Sequence, residues 1–431
     1  MRRFIVLFLG LVSAQCFGQF KNVTLTEDKE GFKPRNPTVA INHKDQDAIV
    51  VGVSPNHSFY SSDGGVTWNE STVTSGFGGG TPEVISDQKG HIFYFQQSNP
   101  AGVGPSGDSW LDRIVCTESK DGGKSWGEER FFGMNPPKDQ SLFHVTIHPK
   151  KSILYSTWTQ FDQYKLEDAG CQSNIFYSMS MNEGSKWTKP VQLSLEPGDC
   201  KDGNNTVGES MPAVNLDGKI YAAWFNKGTI FFDRSYDGGE TWLSNDLAIH
   251  KRTGERTMYV PGFGQINSGL IMQSDISPTR AQTNLYIVYT DQKKGGSDAD
   301  IYLMRSANKG DNWTSQFRIN NDEKGKYHFL PAMTIDQTSG YIYIIYYDRR
   351  AFDDTKTDVY LAYSFNAGET FAEVKISDTP FEPTDLKIQS GYTSISSQNG
   401  VIVPVWTRND NGKVSIMTTV ITTEELRKIK H

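Results

Sequence analysis

The sequence predicts an all-β fold, a β-propeller of four-stranded antiparallel blades. Three observations predict it. Aromatic residues make up 12% of the chain and glycines number 40, a composition suited to strands joined by tight hairpins. One eight-residue motif recurs six times at similar spacing. Apolar strand-like runs stand in the same places around the copies, four runs to roughly 60 residues, which is the content of one propeller blade.

The copies read SSDGGVTW (61–68), SKDGGKSW (119–126), SMNEGSKW (180–187), SYDGGETW (235–242), SANKGDNW (306–313) and SFNAGETF (364–371). Their third residues are Asp63, Asp121, Asn182, Asp237, Asn308 and Asn366, spaced 58, 61, 55, 71 and 58 apart. Each copy reads as a hairpin. The Asp or Asn folds back to accept backbone N–H bonds. The fifth-position Gly supplies a positive φ, and the final Trp or Phe offers a large apolar surface to a neighbouring sheet.

The surrounding strands are clearest around the sixth copy. PAMTI (331–335), YIYIIYY (341–347), DVYLAYS (358–364) and AEVKIS (372–377) form one blade, and the repeated turn joins its third strand to its fourth. After that copy come YTSIS (392–396), VIVPVWT (401–407) and KVSIMTTV (413–420), three strands without the motif. NVTLTE (22–27) is expected to supply the missing fourth strand and so close the ring, which leaves no open sheet edge. The count is then seven blades. The expected organisation is a signal peptide over 1–18, one propeller over 19–420, and a polar tail over 421–431 of one or two helical turns.

The motif matches the Asp box, Ser-x-Asp-x-Gly-x-Thr-Trp. The chain resembles the Asp-box (bacterial neuraminidase repeat) proteins of the sialidase superfamily, and in particular exported Bacteroidetes-type members. DADIYLMRSANKGDNW, IDQTSGYIYIIYYDRRAFDDTKTDVYLAYS and SGYTSISSQNGVIVPVWTRNDNGK carry that resemblance. Sialidases are six-bladed, so six stays open beside seven. The resemblance implies three Arg gripping a carboxylate, a Tyr nucleophile assisted by Glu, and an Asp acid/base. Arg35, in Arg35-Asn36-Pro37, matches the first Arg in spacing without the family's Ile. Pro82, Pro212 and Pro331 occupy the same slot in other blades, so the Pro reads as a blade feature. Tyr392 fits the nucleophile position, or is a channel aromatic that fills the taper. The stretch VGVSPNHS, where the family's Asp would stand, offers Ser54 and Asn56 and no carboxylate. Arg256, Arg349, Arg350 and Arg408 are candidates by position for the remaining Arg.

In such a ring the 2–3 and 4–1 loops share one face and the repeated turns lie on the other. The first face carries the long loops 97–112, 160–173 and 196–205 and the link of about 20 residues after His250, and long loops on a rigid scaffold usually carry function. Exposed aromatics there, Trp110, Tyr164 and Tyr259, suit glycan contact. Cys171 and Cys200 fall on this face and are expected to pair, and Cys116 reads as a core residue. The loop from Asp291 to Asp300 includes Asp298, and the next blade holds Asp348, Asp353, Asp354 and Asp358. These suit a Ca²⁺ site near Asp291, Asp298 and Asp300. Alternatively the pairs Asp291/Asp300 and Asp348/Asp358 bracket their loops and tie the ends. No zinc spacing or phosphate loop appears, and no other cofactor is expected.

Lys and Arg number 43 against 50 Asp and Glu, a net charge of −7 with no basic block, which excludes a nucleic-acid partner. Arg2 and Arg3, the apolar run Phe4 to Val12, and Gly18 read as a signal peptide cleaved after Gly18, or after Ala14. Cleavage takes the charge from −7 to −9. Gln15 before Cys16 makes a poor lipid-attachment motif, and no run is long enough to span a bilayer. The expected location is outside the cell or in its envelope, as a monomer. Three function classes remain: a module recognising a glycan or a surface protein, a glycoside hydrolase using Tyr392, Arg35 and a carboxylate such as Asp348, or a structural component of the envelope.

Overall fold

The computed structural model describes residues 20–76, 80–97, 111–279, 283–293, 298–323, 325–384 and 392–429. The signal-peptide expectation and Trp110 lie outside them. Seven four-stranded antiparallel sheets form a closed ring. The inner strands, in order from blade 1, are Arg35–Ile41, Pro82–Ser86, Asp139–Ile147, Gly208–Val214, Ile271–Asp275, His328–Asp336 and Thr393–Gln398. Blade 7 is completed from the other end of the chain, where Val23–Glu27 pairs antiparallel with Lys413–Thr418.

The tail holds the expected short helix, but it is fastened to the ring. Ile421–Thr422 pairs with Val401 and Ile402, and Thr422 and Glu425 form a capping box on a short helix, Thr423–Lys428. Ile421 and Leu426 are buried in the core of blades 6 and 7, so apolar side chains within a polar segment fasten it to the ring. Among the described residues no helix is long and apolar enough to cross a membrane.

The six repeated turns share one hydrogen-bond scheme. The first-position Ser Oγ accepts the fifth-position Gly N–H at 2.8–3.0 Å. The third-position Asp or Asn Oδ1 accepts the seventh-position N–H at 2.8–3.1 Å. In all three Asp copies the seventh-position hydroxyl (Thr67, Ser125 or Thr241) also donates to the carboxylate, and hydrogen bonding carries Asp63 and Asp237 down to about 2. The Gly has a second reason beyond its positive φ. A Cβ on Gly239 would fall inside the Tyr177 ring of blade 3, and one on Gly310 inside Phe232 of blade 4. The turn of one blade therefore lies flat against the blade before it. The closing aromatics pack the same way: Trp187 stacks on Phe132 at 3.9 Å, and Trp242 meets Tyr177 edge-on at 5.1 Å.

Two departures from regular blades shape the other face. Four inner strands open with a bulge, and its first residue has positive φ: Asn36 (50°), Leu142 (50°), Glu209 (57°) and Leu330 (53°). A non-glycine residue there costs strain and is aimed off the regular pleat. Pro37 and Pro331 follow the bulge residue directly, whereas Pro212 stands two residues past its bulge, paired with Ala222. The shared Pro slot expected from sequence thus holds for only some blades. The second departure is a hairpin, Thr257–Val260 with Gly264–Asn267, inserted between blades 4 and 5. Its Phe263 packs on Phe329, Tyr347 and Phe381 of the blade 6–7 region.

Candidate functional site

The face opposite the repeated turns gathers five polar side chains from five separate segments of the chain. The link between blades 3 and 4 brings Asp202, and the disulfide Cys171–Cys200 fastens that link to the 2–3 loop of blade 3. Lys165 N–H donates to Cys200 O at 2.8 Å, which holds Tyr164 beside Asp202. The bulge of blade 4 brings Glu209, and the base of the inserted hairpin brings Arg256. Tyr392 immediately precedes the inner strand of blade 7.

Arg256 is the hub, with a side chain wholly shielded from solvent. Its Nη2 donates to Asp202 Oδ1 at 2.6 Å and its Nη1 to Gly203 O at 3.0 Å. Its Nε lies 3.4 Å from Glu209 Oε1. Tyr164 OH donates to Asp202 Oδ2 at 2.7 Å, and burial, reinforced by Asp202, pushes that phenol well above its usual range. Glu209 Oε2 accepts Leu270 N–H at 3.2 Å and faces Ser268 Oγ at 3.4 Å. Behind it, Arg252 donates to Ser268 Oγ at 2.6 Å and to Thr290 O at 2.5 Å. Its guanidinium lies over the rings of Phe225 and Tyr289. Burial pulls Arg252 down, although Asp291 and Glu209 oppose the shift.

Tyr392 remains 37% exposed, open to a ligand, while protein atoms crowd around its phenol. That crowding, with the charges of Asp202 and Glu209, pushes it up to about 12, and Arg256 offsets only part of the rise. A phenol in such a field becomes a nucleophile only if a neighbouring base removes its proton.

Among the sequence candidates, the structure groups Tyr392 and Arg256 with Tyr164. Arg35 is exposed at the start of the inner strand of blade 1. That strand lies beside the inner strand of blade 7, where Ser394 Oγ and Ser396 Oγ accept the N–H groups of Val39 and Ile41. No hydrogen bond or ion pair engages Arg35 among the described residues.

The other candidates lie elsewhere. Asp348 is buried opposite Asp358 across a hairpin, holding Arg350 at 2.7 Å and facing His328 at 3.4 Å. It is a loop bracket and lies outside the Arg256 cluster. Arg350 also binds Glu373. Arg349 is buried, donating to Thr357 Oγ1 and Pro261 O, and so anchors the inserted hairpin. Arg408 is held by Thr379, Pro380 and Asp410. Ser54 is buried and donates to Gly80 O.

The Asp291, Asp298 and Asp300 carboxylates belong to three separate networks. Asp291 accepts Gly254 N–H, Asp298 accepts Gly325 N–H, and Asp300 accepts Arg318 Nε. Two other groupings with ligand-like spacing are Asp300, Asp322 and His328, and Asp87, His91 and Glu183. Arg318 pairs with both carboxylates of the first and Lys89 engages Glu183 in the second, so a side-chain cation already competes for each.

Sequence reasoning missed Glu209 and Asp202. Asp202 had a usable signal, its place two residues after a cysteine expected to be bridged. Glu209 had only its position at the head of an inner strand.

No protein-family model matches the sequence, and no curated protein matches it. Solved structures do. A variant of the α-L-arabinofuranosidase Arb93A from Fusarium graminearum aligns at TM-score 0.50 and 13% identity, over 80% of this chain and 94% of that one. The Hadza microbial sialidase Hz136 aligns at TM-score 0.48 and 11% identity, over 87% and 73%. A protein of unknown function from Dyadobacter fermentans aligns at 0.48 and 14%, over 93% and 97%. At these identities the likeness is one of fold, the sialidase-like β-propeller.

Proposed function

We propose that the chain is an exported glycoside-processing propeller whose repeated turns are the Asp boxes of the sialidase-like proteins. The observation that carries this reading is the convergence on one face of Tyr392, Glu209, Arg256 and Asp202, supplied by separate parts of the ring. In this reading Tyr392 Oη bonds to the anomeric carbon as Glu209 accepts its proton, the glycosidic C–O bond breaks, and the departing oxygen takes a proton from water. Arg256 fixes Glu209 and Asp202, and Arg35 contacts the ligand at the rim. The sialidase and arabinofuranosidase among the structural neighbours are consistent with a glycan in this funnel.

A second reading, glycan recognition without turnover, is favoured by one observation. Asp202 is held by Arg256 and Tyr164, which leaves it poorly placed to protonate a leaving group. The test is hydrolysis of a panel of fluorogenic glycosides by the purified mature chain, beside Tyr392→Phe and Glu209→Gln. Turnover that falls at least 10²-fold in both variants supports the enzyme, since a positioned proton-transfer group contributes roughly 10²–10⁴-fold. Turnover unchanged by either variant refutes these roles. Glycan binding without turnover selects the second reading.

A further inference from the structure

A carboxylated sugar needs cations with free N–H groups, and Arg256, Arg349, Arg350 and Arg408 have already spent theirs. Arg256 donates to Asp202 and Gly203 O and pairs with Glu209, with no side-chain exposure. Arg349, Arg350 and Arg408 are engaged as described above. One guanidinium, Arg256, is shared by two carboxylates, Asp202 at 2.6 Å and Glu209 at 3.4 Å, and the charges of all three act on Tyr392. The fixed charge there is net negative. A ligand carboxylate in that field is repelled, and with Tyr392 37% exposed the repulsion falls as salt screens it. Hydroxyl groups meet no such penalty, and they find acceptors in the surrounding carboxylates and carbonyls.

We propose that this funnel selects glycans bearing no carboxylate: neutral sugars rather than sialic or uronic acids. The proposal rests on the reading of the funnel as a glycan site and narrows it. Arg35 does not reverse it, because a single exposed cation at the rim is well solvated and contributes little to holding an anion.

The experiment is binding of the purified mature chain to a printed array of matched neutral, uronate-containing and sialylated oligosaccharides. Hits are then titrated in solution at low and high salt. The expected result is a neutral oligosaccharide whose binding Tyr392→Ala abolishes, with its carboxylated counterpart at least tenfold weaker. Salt should narrow that gap by screening the repulsion and leave the neutral affinity unchanged. Glu209→Gln should narrow it as well. Equal or tighter binding of the carboxylated member overturns the proposal and leaves glycoside processing standing. Neutral binding without hydrolysis keeps the proposal and removes the enzyme. Absence of Tyr392-dependent binding across the whole array overturns both.

Discussion

Replacing Arg256 with Met is expected to be among the most damaging single changes on the ligand face. The substitution keeps most of the side chain's length and removes its charge. It leaves the Asp202 and Glu209 carboxylates, one 19% and the other 8% exposed, without their common partner. Removing one member of a buried ion pair costs about 3–5 kcal/mol, because the remaining charge stays desolvated. The double variant Arg256→Met/Asp202→Asn should recover about 1–2 kcal/mol of that loss, and adding Glu209→Gln should recover more, since each change removes a stranded charge. Urea unfolding followed by tryptophan fluorescence measures these differences as midpoint shifts at constant slope. Non-additivity across the cycle is the diagnostic. Arg256→Met within about 0.5 kcal/mol of the parent, the usual range of an inconsequential surface change, would refute the hub. So would strict additivity of the variants.

Three further outcomes are expected. Cys171→Ser with Cys200→Ser opens a loop with a sequence separation of 29, which loop-closure entropy values at about 3.6 kcal/mol; an unchanged unfolding midpoint would contradict it, and glycan binding should weaken as well, because the bridge fastens the link on which Asp202 lies just past Cys200. Gly239→Ala should cost roughly 2–4 kcal/mol, combining positive φ with the clash against Tyr177. Gly122→Ala, whose Cβ meets Ala48 at an ordinary 3.7 Å, should cost about 1 kcal/mol, and equal losses would show that contact with the preceding blade is not what the fifth-position Gly serves. Finally, Asp63 and Asp237 are depressed from an ordinary 3.8 to about 2. Their contribution is therefore present above pH 4 and lost as pH falls toward 2. In Asp63→Asn/Asp237→Asn, where Asn keeps the acceptor as it does at Asn182, Asn308 and Asn366, the melting temperature should depend less on pH over that interval. An unchanged slope would refute the assignment.

The ring was legible because it is periodic. Six turns carry the same residues for the same stereochemical reasons, and the count of seven follows once 22–27 is matched to the unfilled place beside 413–420. Tyr392 was legible for the related reason that a residue heading an inner strand has a fixed place in any propeller. What escaped were features that break the period. Glu209 is turned toward Arg256 by a bulge that Gly208 and Met211 frame in register, and no pattern in GESMPAV announces it. Arg256 was visible as a charge, but its loss to Asp202 depends on the disulfide-held link. Asp348 was misplaced among catalytic groups because a carboxylate at a strand end looks alike in sequence whether it faces a ligand or, as here, Arg350 and His328.

The splicing of Val23–Glu27 onto Lys413–Thr418 has a consequence for how the molecule comes into being. The two partners are almost the whole chain apart, so this contact forms only after nearly everything else has been synthesised. Blade 7 also contains the strand that Tyr392 precedes. The first strand therefore waits, unpaired, through the making of six blades, and the candidate nucleophile takes its place at about the moment the circle shuts. Closing the ring and placing Tyr392 become one event: a chain interrupted before its final strand cannot seal its own edge.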